Sequence, residues 1–296
     1  MSDDGAYGLT VIGFIGSVFS PYYAWSRRRG ESNPLNHCAL NVALYGPRGR
    51  RWAMTERDST QVSRGKTELS IGPSHMRWVD DALEIRIDET CAPLPKRVRG
   101  TVRLFPPSIS QRSFALDAQG RHYWTPFAPC SRIEASFSSP DLNWSGAGYA
   151  DHNRGDEPLK DAFSHWAWSR SGAGDSGSVV LYDVTARDLS NRTLALKFTA
   201  NGSMQTFDPP PAVSLPTTGW RIARSTRADA ATEARVIDTL EDAPFYSRSL
   251  LDTQVGGARS RVFHESLDLN RFRRYWVQCL LPFRMPRVTR RLHSNR

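Results

Sequence analysis

Cysteine is scarce in this chain and scattered. Cys38, Cys91, Cys130 and Cys279 are the four in 296 residues, and no two stand as C-x-x-C. That spacing argues against a zinc ribbon or a disulfide framework and leaves four free thiols in a reducing compartment. No apolar run is long enough to span a bilayer, since the longest, Leu9 to Phe19, is broken by Gly13 and Gly16. Asp3 and Asp4 stand where a secretory leader would carry basic residues, so no signal peptide is expected and a cytoplasmic location is. There is no phosphate loop, no pair of histidines at i, i+4 on a helix, no repeat of fixed period and no low-complexity tract. Neither a metal nor an organic cofactor is implied by any motif. Lysine is rare as well, and the net charge of +9 is carried almost wholly by arginine.

The positive charge is concentrated late. From Arg271 onward there are eight arginines and no acidic residue. Such a bias either draws anionic partners, nucleic acid or a membrane surface, or marks no more than a solvated tail. Nucleic acid is set aside because the arginines form a tail rather than a strip interleaved with aromatics, and no recognition motif accompanies them. Hydrophobic content of 39% and a mean hydropathy of −0.49 fit a soluble protein large enough for one big domain or two ordinary ones.

Most segments alternate with period two. Leu40, Val42 and Leu44 alternate with small or polar residues, Leu83, Ile85 and Ile87 with Glu84, Arg86 and Asp88, and Leu194, Leu196 and Phe198 with Ala195 and Lys197. Gly46-Pro47, Gly72-Pro73, Pro106-Pro107 and Pro209-Pro210-Pro211 punctuate them. Many short strands with frequent turn signals predict an all-β sandwich or barrel. One helix is expected near the end, carrying Phe272, Trp276, Val277 and Leu280 and stopped by Pro282. The expected division is residues 1–164 and 165–281 as two β domains, followed by a basic tail, 282–296. The Pro209-Pro211 stretch is a second candidate boundary.

Gly174-Asp175-Ser176-Gly177 matches the centre of the trypsin-like nucleophile motif, and Asn36-His37-Cys38 resembles the histidine site of that family, with Asp80 and Asp81 between them. Nothing else of the family accompanies the match. The glycine-rich run reads more simply as the loop of a hairpin joining His165–Ser169 to Ser178–Val184. His37, His152 and His165 read as isolated imidazoles, and Asp156-Glu157, before Pro158, as a solvated turn.

The strongest chemical signal is the run from Trp144 to Leu159. On an extended strand Tyr149, Asp151 and Asn153 share one face, while His152 and Arg154 take the other. Tyr123, Trp124, Trp144, Trp166 and Trp168 make the same third of the chain aromatic, and Trp166 and Trp168 point the same way across Ala167. These rings serve either as core or as a pocket of π faces able to hold an apolar ligand and stabilise a cation. An acid beside such a surface is suited to protonating something apolar.

With those residues in view, the chain resembles the carotenoid 1,2-hydratases, also called hydroxyneurosporene synthases, along nearly its whole length. The blocks are Gly13–Tyr23, Asn33–Asn41, Arg51–Arg57, Gly146–Leu159, Leu181–Val184, Pro244–Arg248 and Glu265–Leu267. The resemblance implies two lipocalin-like β domains and a cofactor-independent addition of water to the terminal C1–C2 double bond of acyclic carotenoids. It places the acid–base aspartate on Asp151, with Tyr149 before it, and an important tryptophan on Trp124. Trp144, His152, Asn153, Trp166 and Trp168 are the candidates for lining the substrate. Asp151 would have to be neutral near pH 7, well above the ordinary aspartate value of ~3.9. Burial would raise it, and a hydrogen bond donated by Tyr149 would oppose that. A lipid substrate further implies peripheral contact with an anionic inner-membrane surface through the basic C-terminal segment, with Phe272, Trp276 and Leu280 nearby. A non-catalytic carotenoid carrier and a polyene or terpenoid cyclase are the competing functions.

Overall fold

The computed structural model describes residues 1–31, 33–173 and 177–289. It is built mainly of antiparallel strands, in line with the all-β expectation, and it divides into two compact units. The first comprises residues 1–105, 132–148 and 278–296, and the second residues 106–131 and 149–277.

In the first unit a four-stranded sheet runs in the order Gly8–Phe14, Cys38–Tyr45, Arg51–Arg57 and Arg287–Val288, the last pair parallel. A second sheet contains Glu68–Ile71, Ser74–Val79, Ala82–Thr90 and Arg97–Phe105. Leu40, Val42 and Leu44 from the first sheet meet Ile85, Ile87, Val98, Val102 and Phe137 from the second in one core cluster. The alternation in Ala82–Thr90 sorts as expected, with Ile85 and Ile87 inward and Arg86 exposed. Cys38–Tyr45 differs, because every residue in it is buried. Its period-two pattern is one of size rather than of water contact, as befits a strand covered on both sides.

The second unit is organised on a seven-stranded sheet. Its order is Met204–Thr206, Asn191–Phe198, Gly177–Ala186, Phe163–Ala173, Ala258–Asp268, Tyr246–Val255 and Arg235–Asp242. The expected hairpin is present, with Trp168 opposite Tyr182 and Ala173 opposite Gly177. Gly174, Asp175 and Ser176 of the protease-like motif lie outside the described residues.

Two long strands, His122–Ser139 of 18 residues and Asp141–Gly155 of 15, pass from one unit to the other. The units therefore interleave along the chain instead of meeting near residue 164. That position falls inside the second unit, just within the strand that starts at Phe163 after the helical turn Leu159–Ala162, and Pro209–Pro211 is internal to it as well. A strand crossing between compact units changes neither composition nor periodicity, so no linker signal marks it.

The terminal helix is in two pieces, Leu269–Phe272 and Tyr275–Arg284. Asp268 caps the first by accepting from the Arg271 amide at 2.9 Å. Pro282 does not stop the second piece but sits inside it. It is close enough to the C-terminal end that the one hydrogen bond it forfeits is near the natural fraying point. An additional helix, Pro21–Arg28, is capped by Ser20 and has proline in its first turn.

Candidate active site

All the groups of the site belong to the second unit. The strand Asp141–Gly155 places Tyr149 and Asp151 on one side by simple alternation. Trp124, on His122–Ser139, is 0% exposed. Its indole Nε1 donates to Asp151 Oδ2 at 2.7 Å, and the Tyr149 hydroxyl donates to the same oxygen at 2.8 Å. Both donors converge on Oδ2. Oδ1 accepts no hydrogen bond from the described residues.

As a residue Asp151 is only partly buried, yet its carboxyl group lies deep enough for desolvation to dominate its titration. Burial, assisted by the charge of Glu265, pushes it from 3.8 to about 6, against the two hydrogen bonds that favour the anion. Burial and the neighbouring Asp151 charge also hold the Tyr149 and Tyr182 hydroxyls far above the usual phenol value. Both phenols are therefore neutral donors at any ordinary pH. At pH 7 a group titrating near 6 is protonated about one time in ten. The acid form is thus a minor but accessible species.

Aromatic rings surround this carboxyl. Trp124 is tilted against Tyr182 at 5.2 Å and against Phe114 at 5.6 Å between centroids. Tyr149 meets Trp168 at 5.3 Å, and Trp166 meets Tyr182 at 5.9 Å. Strand register accounts for the grouping, since Trp168 stands opposite Tyr182 on one neighbour and opposite Glu265 on the other. Arg170, two residues on, sets its guanidinium 5.6 Å from the Tyr149 ring. Burial lowers that arginine's pKa, with Tyr149 opposing the shift.

Five of the residues singled out in the sequence thus come together: Trp124, Tyr149, Asp151, Trp166 and Trp168. Asn153 lies at the margin, exposed, accepting from the Tyr182 hydroxyl at 3.4 Å. His152 is exposed on the other side of its strand. Trp144 packs against the core of the first unit and does not join the cluster. The sequence reading missed Tyr182, Phe114, Arg170 and Glu265. Tyr182 arrives by the hairpin register, whereas the bounds read from the sequence, Ser169 joined to Ser178, set Trp168 opposite Val179. The Glu265 pairing joins strands nearly a hundred residues apart and leaves no local trace.

The histidine of the protease-like motif is engaged elsewhere, and its serine, Ser176, lies outside the described residues. His37 Nδ1 lies 2.8 Å from Glu56 Oε1, and Asp80 occupies an exposed turn at φ 53°. Glu157 of the paired carboxylates is bridged to Arg121 at 2.9 Å. The four cysteines are free, and no group of three metal-ligating side chains occurs among the described residues.

The comparisons with known proteins converge. The chain matches the family described as carotenoid hydratase CrtC over residues 11–294. A protein named acyclic carotenoid 1,2-hydratase from Thiocapsa roseopersicina is 55% identical, over 97% of this chain and 71% of its own. Proteins of the same name from Rubrivivax gelatinosus and Cereibacter sphaeroides are 46% and 40% identical, over 97% and 94% of this chain and 71% and 98% of theirs. The crystal structure of a protein assigned as AttH from Nitrosomonas europaea superposes with a TM-score of 0.52 at 15% identity, over 78% of this chain and 81% of that one. That likeness speaks for the fold alone. With a family match covering almost every residue, the chain belongs to the carotenoid hydratases.

Proposed function

We propose that this protein adds water across the terminal C1–C2 double bond of acyclic carotenoids of the lycopene or neurosporene type, without a cofactor, giving a tertiary alcohol at C1. The names of its relatives support the substrate class. The observation that carries the mechanism is the Asp151 carboxyl, raised to about 6 and gripped at one oxygen only. With two donors occupying Oδ2, the proton of the neutral acid resides on Oδ1, the oxygen left to face a ligand.

Oδ1 hands that proton to C2 of the alkene, and positive charge develops at C1. Two methyl groups and the faces of Trp124, Tyr182 and Trp168 stabilise it, a desolvated cation–π contact contributing ~2 kcal/mol or more. The Trp124 and Tyr149 donors stabilise the carboxylate as it forms, so they strengthen along the reaction. A water then bonds to C1, and its surplus proton returns to Asp151, restoring the acid. The cation must be kept from bulk water, which would strip a proton from it and regenerate the alkene.

No helix among the described residues is long and apolar enough to cross a membrane. The substrate is a lipid, so the working location is a peripheral one, on an anionic inner-membrane surface reached from the cytoplasm. The test is incubation of purified protein with detergent-dispersed lycopene, without added cofactor, followed by mass analysis for 1-hydroxy product bearing oxygen from labelled water. Asp151→Asn should lose turnover by at least about a hundredfold, the usual worth of a general acid. Full turnover in that variant would remove Asp151 from the mechanism. Ligand binding without any product would favour a carrier, and a product lacking the label would favour a cyclase.

A further inference from the structure

The helix Tyr275–Arg284 is apolar on the side that faces water. Tyr275 is 73% exposed, Phe283 70%, Trp276 43% and Leu280 40%. At ~100° per residue these four fall within one arc of about 140°, while Val277 and Leu281, both buried, fall on the opposite side. A surface helix ordinarily turns its polar face outward. Here the inward side is already satisfied, and the outward side is aromatic as well. Trp220, itself 43% exposed, extends the face by stacking on Trp276 at 6.3 Å.

Charge selects the partner. Arg271 sits 5.9 Å from the Trp276 ring, Arg273 and Arg274 are exposed just before the helix, and no acidic residue follows Asp268 in the chain. Exposed tryptophan and tyrosine with arginine at the flank suit the boundary between headgroups and acyl chains. There the rings find apolar surroundings and the guanidinium groups find phosphate.

We infer that the exposed face of Tyr275–Arg284 is the surface by which this protein sits on an anionic bilayer. Tyr275, Trp276, Leu280 and Phe283 enter the interface, with Arg273 and Arg274 at the phosphates. The inference deepens the reading of a hydratase acting on a membrane lipid, and it changes which residues do the docking. Phe272, expected to contribute, is 2% exposed and packs on Phe245 at 4.9 Å. Aromatic insertion supplies the anchoring, and the arginines supply the preference for anionic lipid.

Full-length protein is floated with phosphatidylcholine vesicles that either contain or lack phosphatidylglycerol, at low and high salt. Wild type should bind the anionic vesicles and bind less at high salt or without phosphatidylglycerol. The pair Tyr275→Ser and Phe283→Ser should weaken partition by about tenfold or more at unchanged melting temperature. The pair Arg273→Gln and Arg274→Gln should weaken it and flatten the salt dependence. Undiminished binding by the aromatic variant, or no binding by wild type, overturns the inference. So does a lipid-free dimer that the aromatic variant converts to monomer, since the face would then join two copies of the chain. A parallel assay on detergent-dispersed lycopene separates the two readings. Equal turnover by wild type and aromatic variant is expected there, and absence of turnover in both would overturn the hydratase reading while the vesicle result still judges the docking face.

Discussion

At the scale of single residues, opposed influences act on the Asp151 carboxyl, and their balance sets when it can act. Burial and the Glu265 charge raise it, the Trp124 and Tyr149 donors lower it, and the outcome is about 6. The protonated acid is the reactive form, so kcat/KM should be flat below pH 6 and fall about tenfold per unit above it. Tyr149→Phe keeps the ring against Trp168 and deletes a donor that favours the anion, so the falling limb should move to higher pH. A merely structural tyrosine would change the amplitude and leave that midpoint where it is. The same shift has a thermodynamic consequence. The folded protein holds this proton more tightly than the unfolded chain does, so the associated stability is complete below pH 4 and is lost as pH rises through 6. A displacement from 3.8 to about 6 corresponds to about 3 kcal/mol. Asp151→Asn cannot ionise and retains an oxygen for both donors. It should therefore unfold at higher denaturant than wild type at pH 8 and at nearly the same denaturant at pH 4, while losing activity at both.

At the scale of elements, what the sequence discloses depends on how local the cause is. The strands around Leu40, Ile85 and Leu196 and the existence of the hairpin that carries Trp168 and Tyr182 follow from alternation and turn residues, which act over a few positions, but the hairpin's register does not. Tyr149 and Asp151 on one face follow from the same rule. Trp144 obeyed it too, but belongs to a different core, because alternation gives a direction and not a destination. Phe114 arrives opposite Trp124 across a short local turn, whereas Glu265 reaches the site through a pairing that no short-range signal specifies. The buried ion pair of the first unit is another such case. Arg57 Nη2 donates to Glu89 Oε2 at 2.8 Å, and the Ser74 hydroxyl donates to Oε1 at 2.7 Å, joining three strands in the interior. Gly72, at φ +60°, leaves the space the Arg57 guanidinium occupies. Glu89→Ala would strand that guanidinium without a counter-charge, and chemical denaturation should register a loss of about 3–5 kcal/mol. Replacing the arginine and the glutamate together by apolar residues of similar volume should recover much of it.

At the scale of the whole molecule, the first unit is assembled from three separated stretches of chain, and the last of them is held by a small but buried contact. Arg287–Val288 runs parallel to Arg51–Arg57, and the Glu56 amide donates to the Pro286 carbonyl at 2.9 Å. The Arg287 guanidinium bonds Glu56 Oε1, in a cluster with His37, on whose ring Tyr23 stacks at 4.7 Å. Glu56 is 1% exposed, so removing Arg287 leaves a buried carboxylate with only a histidine for compensation. A chain ending at Arg284 should therefore lose about 3–5 kcal/mol of stability, more than two strand residues alone would explain. Glu56→Gln in that shortened chain should restore part of the loss, because it removes the stranded charge, whereas in the full-length chain the same substitution should destabilise by orphaning Arg287. Equal denaturation midpoints for the shortened chain with and without the Glu56→Gln substitution would show that the contact is not electrostatic. Opposite signs in the two backgrounds are the expected result. For that reason membrane docking is better tested by substitutions on the exposed helix face than by cutting the C-terminal segment away.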